Sequence, residues 1–241
     1  MQGDRKMVRT FASVVMLVCG VILLSIMLGC PGANRDQQVQ LPGDQIPQQP
    51  DQTPQQPSLT WLGTFGGDDS VAYDISADSS SVVVVGIAYD TKGNQRAFRW
   101  VNGRMEDLGT LGGGWSAANG VSLDGSIVVG AAENAAGQRH AFRWMAGRME
   151  DLGTLGGDES SAHDVSADGS VVVGKSNGRA FRWTSKGGME DLNETYAHLL
   201  TNGSELRAAY AISPNGRYIV GHGYNAITKR LEAFLLDTGR P

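Results

Sequence analysis

Cysteine is nearly missing from this chain. Cys19 and Cys30 are the two in 241 residues, so everything beyond residue 30 is free of thiols. That excludes a disulfide framework and any cysteine metal centre from the larger part of the protein, whose stability must rest on burial and strand pairing. Basic charge is also scarce. Removing Arg5, Lys6 and Arg9 leaves 20 − 3 = 17 basic residues, and removing Asp4 leaves 25 − 1 = 24 acidic ones, a net charge of −7 beyond residue 30. With no basic stripe, nucleic acid is not an expected partner. The histidines are few, and His140, His163, His198 and His222 show no ligand spacing, so no metal is expected. The glycine-rich turns lack a following Lys-Ser/Thr and open no helix, so they are not phosphate loops, and no cofactor is expected. No helical period runs through residues 59–190.

What is present divides the chain into three. Residues 1–30 place Arg5, Lys6 and Arg9 ahead of an apolar run over residues 11–28, the pattern of a bacterial export signal. The run ends Ile26-Met27-Leu28-Gly29-Cys30. This resembles the lipobox of bacterial lipoproteins, which implies Cys30 as the lipid attachment site; Met27 departs from the usual leucine. The alternative is an uncleaved anchor helix of about 18 residues, near the lower limit for spanning a bilayer. Either reading puts the remainder outside the cytoplasm, because basic flanks stay inside. Residues 31–58 are rich in proline and glutamine and poor in bulky apolar side chains, so they read as a disordered tether.

Residues 59–241 repeat. The segment RHAFRWMAGRMEDLGTLGG at 139–157 has an earlier copy at 96–113 and a later one at 179–194. Leu62, Leu108, Leu152 and Leu192 mark the period, with spacings 108 − 62 = 46, 152 − 108 = 44 and 192 − 152 = 40. Gly86, Gly130, Gly174 and Gly221 each close an apolar run, at spacings of 44, 44 and 47. Periods of this length built from short strands indicate a β-propeller-like array of four repeats, each a sheet of about four strands. In the third unit, residues 163–166, 171–174, 179–183 and 189–192 are the four expected strands. Asp168-Gly169 supplies a hairpin turn. The unbroken valines 82–85 and 171–173 suit a strand covered on both faces. The first unit starts with residues of fourth-strand type (59–64), and the last ends at third-strand type (233–236). The N-terminal strand is therefore expected to pair with the last blade and close the ring, which would remove two exposed edges. An open stack, or two chains sharing a larger ring, satisfies the same pattern. Residues 192–206 break it, and Asn193 is expected to cap a short helix.

On these residues the chain resembles the HAF-type extracellular repeat family. His140-Ala141-Phe142 matches literally, followed by Arg143-Trp144, Met149-Glu150-Asp151-Leu152-Gly153-Thr154, an Asp-Gly turn and Val-Val-Gly. The resemblance covers about residues 59–237. Arg96, Arg179 and Glu232 replace the histidine in the other units. It implies an exported or surface-attached bacterial protein and no particular activity.

The recurring polar residues read as scaffold. Glu106-Asp107, Glu150-Asp151 and Glu190-Asp191 recur in every hairpin, whereas a carboxylate pair for glycoside hydrolysis needs two unlike environments. They are expected to pair with Arg99, Arg143 and Arg182. Asp74, Asp78, Asp164 and Asp168 are expected to serve turns rather than calcium. Ser116 and Ser160 have no placed His and Asp partners, so no nucleophile is expected. The expectation is a non-enzymatic binding or structural module, tethered to the membrane and facing a surface glycan or protein. The alternatives are a glycan-active enzyme using the unrepeated Trp115, Tyr73, Tyr89, Tyr196 and Tyr224, or a self-assembling surface protein.

Overall fold

The computed structural model describes residues 56–77 and 81–240. Cys30 and nearly all of the tether lie outside the described residues. Pro57–Pro241 form one compact unit. The described residues fold as four antiparallel meanders of consecutive strands. The first sheet holds β1 (Gly66–Ala77), β2 (Val82–Asp90), β3 (Gln95–Val101) and β4 (Arg104–Asp107). The second holds β5 (Gly112–Val121), β6 (Ile127–Asn134), β7 (Arg139–Met145) and β8 (Arg148–Asp151). The third holds β9 (Ser160–Val165), β10 (Val171–Ser176), β11 (Arg179–Thr184) and β12 (Gly188–Asp191). The fourth has three strands, β13 (Glu205–Ile212), β14 (Tyr218–Asn225) and β15 (Arg230–Asp237).

Side chains alternate across each strand, so every sheet offers one face to the sheet before it and one to the sheet after it. Val83, Val85 and Ala97 of the first sheet pack on Ala118, Val128, Phe142 and Trp144 of the second. Ile127, Val129 and Ala141 pack on Val165, Val172, Phe181 and Trp183 of the third. Val171, Val173 and Ala180 pack on Leu206, Ala209, Ile212 and Ile219 of the fourth. Both faces of β6 and β10 are thus buried, which accounts for their uninterrupted β-branched runs. Each such side chain contributes about 1.5–3 kcal/mol when fully covered.

The glycine that closes each run has a mechanical cause. The first strand of every sheet carries a β-bulge opposite it, with Tyr73, Asn119, His163 and Tyr210 as the extra residues. The bulge brings a carbonyl against the second strand. A Cβ at Gly86, Gly130 or Gly174 would lie 2.0 Å from the oxygen of Val71, Ala117 or Ser161, and one at Gly221 would lie 1.9 Å from that of Ala208. The paired glycines behave differently from expectation. Gly112 and Gly113 begin β5 rather than forming a turn, and a Cβ on Gly113 would meet the Asn134 carbonyl at 2.7 Å.

Two expectations are corrected. The closing strand does not form: residues 59–64 lie in no strand, and Leu59 and Trp61 are exposed. Leu62 and Phe65 instead pack on Val84, Ala88 and Phe98 of the first sheet, and Phe65 bridges Asp90. This apolar burial holds the segment at the start of the array, and no core cluster among the described residues joins the first sheet to the fourth. The short helix α1 (Leu192–Thr195) is capped by Asp191, which accepts from the Asn193 N–H, and not by Asn193. Asn193 bonds both backbone groups of Leu206, at 2.7 and 2.9 Å, and ties the helix to β13. Ala197–Leu199 is a separate 3-10 turn.

Gly174→Ala is expected to destabilise the protein by about 3 kcal/mol, because neither the Ser161 carbonyl nor the Phe181 ring can withdraw. Gly114→Ala, which meets its nearest atom at an ordinary 3.6 Å, is expected to stay within about 0.5 kcal/mol of the parent. Urea unfolding of both variants checks the difference.

Candidate functional site

The recurrent polar residues are engaged in the scaffold. Arg99 reaches Glu106 at 3.6 Å, Arg143 reaches Glu150 at 4.0 Å, and Arg182 reaches Glu190 at 3.0 Å. The second acid of each pair has its own partner, Arg96 for Asp107, His140 for Asp151 and Arg179 for Asp191. The guanidinium of Arg99 also lies over Trp144 of the following sheet, 5.8 Å from the ring centre, and that of Arg143 lies 6.0 Å from Trp183. Ser116 Oγ accepts from the Ala97 N–H and donates to the Gly109 carbonyl; Ser160 makes the same two bonds with Ala141 and Gly153. Both hydroxyls lock a strand to a turn.

The bulges give the inner strands a second role. Asn119 donates from Nδ2 to the Ala162 carbonyl of the next sheet at 2.7 Å. His163 Nδ1 lies 2.7 Å from the Ala209 carbonyl, so that nitrogen carries the proton and donates. Asp74 accepts the N–H of Val121, and Asp164 accepts that of Ile212. These two acids were expected in turns; they bond between sheets instead, because each bulge swings them toward the neighbour. Asp124 and Asp168 are the turn acids, holding Ser122 and Ser126, and Ser166 and Ser170. Those bonds keep both carboxyls below their ordinary range. Asp78 is outside the described residues. Burial pushes the Asp164 carboxyl up and the His163 imidazole down. His163 stacks on Tyr210, and Tyr210 on His222, at 5.3 and 5.4 Å.

The five aromatics singled out in the sequence do not converge, and three of them follow the period after all. Tyr73 shares the bulge position with Tyr210, and Tyr89 and Tyr224 both stand three residues after the glycine that closes the run. Tyr196 is buried in the core between the third and fourth sheets, with its hydroxyl toward the Thr238 carbonyl. Tyr73 is half-exposed on β1, Tyr89 precedes Asp90 at the end of β2, and Tyr224 lies under Arg207 on the fourth sheet. Tyr89 and Tyr224 line clefts whose charged residues are all acids, whereas Trp115 lines one that holds cations. The cleft, of about 270 Å³, lies between the second and third sheets and is lined by Trp115, Arg139, Glu159, Ser161, Lys175 and Asn177. Arg139 is stacked over the indole at 4.4 Å. Asn177 takes positive φ, accepts the Glu159 N–H and donates its own N–H to the Glu159 carbonyl, which fixes the rim.

None of the three main side chains is repeated. By the period, Asp69 and Glu159 stand where Trp115 does, Gln95 and Gly178 where Arg139 does, and Ile87, Ala131 and His222 where Lys175 does. The cleft therefore combines one aromatic plane, two cations and a single acid. Such a set suits an anionic, hydroxyl-rich ligand: the cations take the charge and the indole takes an apolar ring face. Sequence reading identified Trp115 but missed Arg139 and Lys175. Their departure from the repeat was the available signal.

No family model matches this chain, and no curated protein does. Among solved structures, the chain is similar to TolB from Acinetobacter baumannii at 14% identity, with 68% of this chain and 43% of that one covered and a TM-score of 0.42. It is similar to a putative TolB from Agrobacterium tumefaciens at 16% identity, with coverage of 69% and 61% and a TM-score of 0.47. It is also similar to XC5397 from Xanthomonas campestris, described as a gluconolactonase, at 12% identity, with coverage of 67% and 57% and a TM-score of 0.40. The chain spans less than two thirds of the length of each.

His163 generates a pH prediction. Its folded-state pKa is depressed, so the unfolded chain takes up the proton first as pH falls through about 6.5. The contribution is fully present above that pH and is lost below it. The parent is expected to lose stability between about pH 7.5 and 5.5, and His163→Gln to lose measurably less over the same window. Chemical denaturation across that range checks it.

Proposed function

We propose that this chain is an exported, membrane-tethered module of the bacterial cell envelope that binds a ligand without transforming it. The ligand is a surface glycan bearing acidic groups, taken by the cleft at Trp115. The observation that carries this reading is the contrast between the two kinds of polar residue. Those that repeat are spent on bonds within and between sheets, whereas Trp115, Arg139 and Lys175 are unrepeated and share one cleft.

Glu159 is the one acid in that lining, which supports binding over hydrolysis by a pair of carboxylates. Export and tethering rest on the signal-like residues 1–30, with lipid on Cys30 or an uncleaved helix as the anchor. The resemblance to the HAF-type extracellular repeat family supports the same location.

A glycan array probed with the chain tests the reading. Binding to uronic-acid or sialic-acid glycans is expected, weakened at least about tenfold in Trp115→Ala, since an aromatic hot spot costs roughly 2 kcal/mol or more when truncated. Arg139→Ala is expected to weaken binding and reduce its salt dependence. Binding that survives both substitutions, or release of a product from any bound glycan, contradicts the reading.

A further inference from the structure

The two ends of the array are the two halves of a junction that the chain already makes three times internally. On the fourth sheet, the face that would meet a following sheet is bare. Val220 is 41% and Leu235 71% exposed. The residues equivalent to Val220, which are Val85, Val129 and Val173, are all fully buried against the next sheet. On the first sheet, Leu62 and Phe65 cover Val84, Ala88 and Phe98, but the β1 side of the face that would meet a preceding sheet is bare. Ile75 is 61% exposed, while its equivalents Val121, Val165 and Ile212 lie between 6% and 9%.

The strand count tells the same story. Among the described residues the fourth sheet has no outer strand, and no strand pairs with the free edge of β15. Residues 58–61 are the unused copy of that strand, since Leu62 stands one period before Leu108, which directly follows β4. The segment is already laid down as it would be if a preceding sheet were there. Leu62 and Phe65 sit on the first sheet, and Phe65 bridges Asp90 in parallel, as Leu108 and Leu111 sit on the second and Leu111 bridges Asn134.

We infer that a second copy of this chain packs head to tail on the first. The fourth sheet of one copy lies against the first sheet of the next, and residues 58–61 of the next copy add to β15 as its fourth strand. The occupant is another copy because the complementary surface, in shape and in register, is the chain's own opposite end. Such a front-to-back contact is heterologous; it closes into a ring or continues, according to the rotation at each junction. Adding the strand also removes the exposed edge. This inference is independent of the Trp115 cleft, which lies between interior sheets.

The register predicts the test. Arg99, Arg143 and Arg182 face Glu106, Glu150 and Glu190 across the third and fourth strands, so Leu235 of one copy must face Thr60 of the next. Directly opposed residues in an antiparallel pair have Cβ atoms about 4.5–5.5 Å apart, within disulfide reach. The full chain, with Cys19 and Cys30 replaced by serine, is made as Thr60→Cys, as Leu235→Cys and as both together, and oxidised in detergent. The double variant is expected to shift to the mass of two or more chains on a non-reducing gel. A mixture of the two single variants should do the same, and neither single variant alone. A double variant that oxidises at the mass of one chain would show that the array closes on itself and would overturn the inference. So would one that forms no disulfide.

Discussion

Burial of sheet against sheet is the constraint on which everything else in this molecule depends. A four-stranded meander of this size cannot cover its own apolar faces, and here there are no disulfides beyond residue 30 to compensate. Each sheet therefore borrows its neighbours: the valines of one second strand lie under the Phe and Trp of the next sheet's third strand. The bulge in every first strand refines that arrangement. It forces a glycine opposite itself and turns the inner side chains so that Asn119, His163, Asp74 and Asp164 reach the backbone of the following sheet. Apolar contact holds the sheets together, and these bonds set their registry.

Much of this was legible in the sequence because a repeat reports its own scaffold. The valine runs at 82–85 and 171–173, the Asp168-Gly169 turn and the Glu–Arg pairs across the hairpins all follow from period-two patterning and turn chemistry. The bulges were not legible, because an extra residue in an antiparallel strand leaves no compositional mark beyond the glycine it faces. That concealed the roles of Asp74 and Asp164. The N-terminal segment misled for a different reason. Its residues match a fourth strand, but strand pairing needs an available edge. Leu62 and Phe65 find apolar cover on the first sheet while Leu59 and Trp61 remain exposed. Helix α1 shows the same limit on a smaller scale, since Asp191 and Asn193 are both good capping residues and only the path of β13 decides between them.

The same logic separates scaffold from function. A residue that recurs at the period has to serve something that recurs, which here is the hairpin, the bulge or the junction between sheets. Trp115, Arg139 and Lys175 break the period and yet occupy one cleft, so the repeat does not explain them. A ligand does. The exposed ends are a third category: residues such as Ile75 and Val220 obey the repeat but lack the neighbour it implies.

The central claim is that stability resides between sheets rather than within them. A double-mutant cycle across the second junction measures this most directly, using Val129→Ala on β6 and Phe181→Leu on β11, two residues buried in one shared cluster. If each sheet depends on its neighbour, the two substitutions are coupled by about 1 kcal/mol or more in urea unfolding. Costs that add to within about 0.3 kcal/mol would show that the sheets stand independently, and would contradict the account.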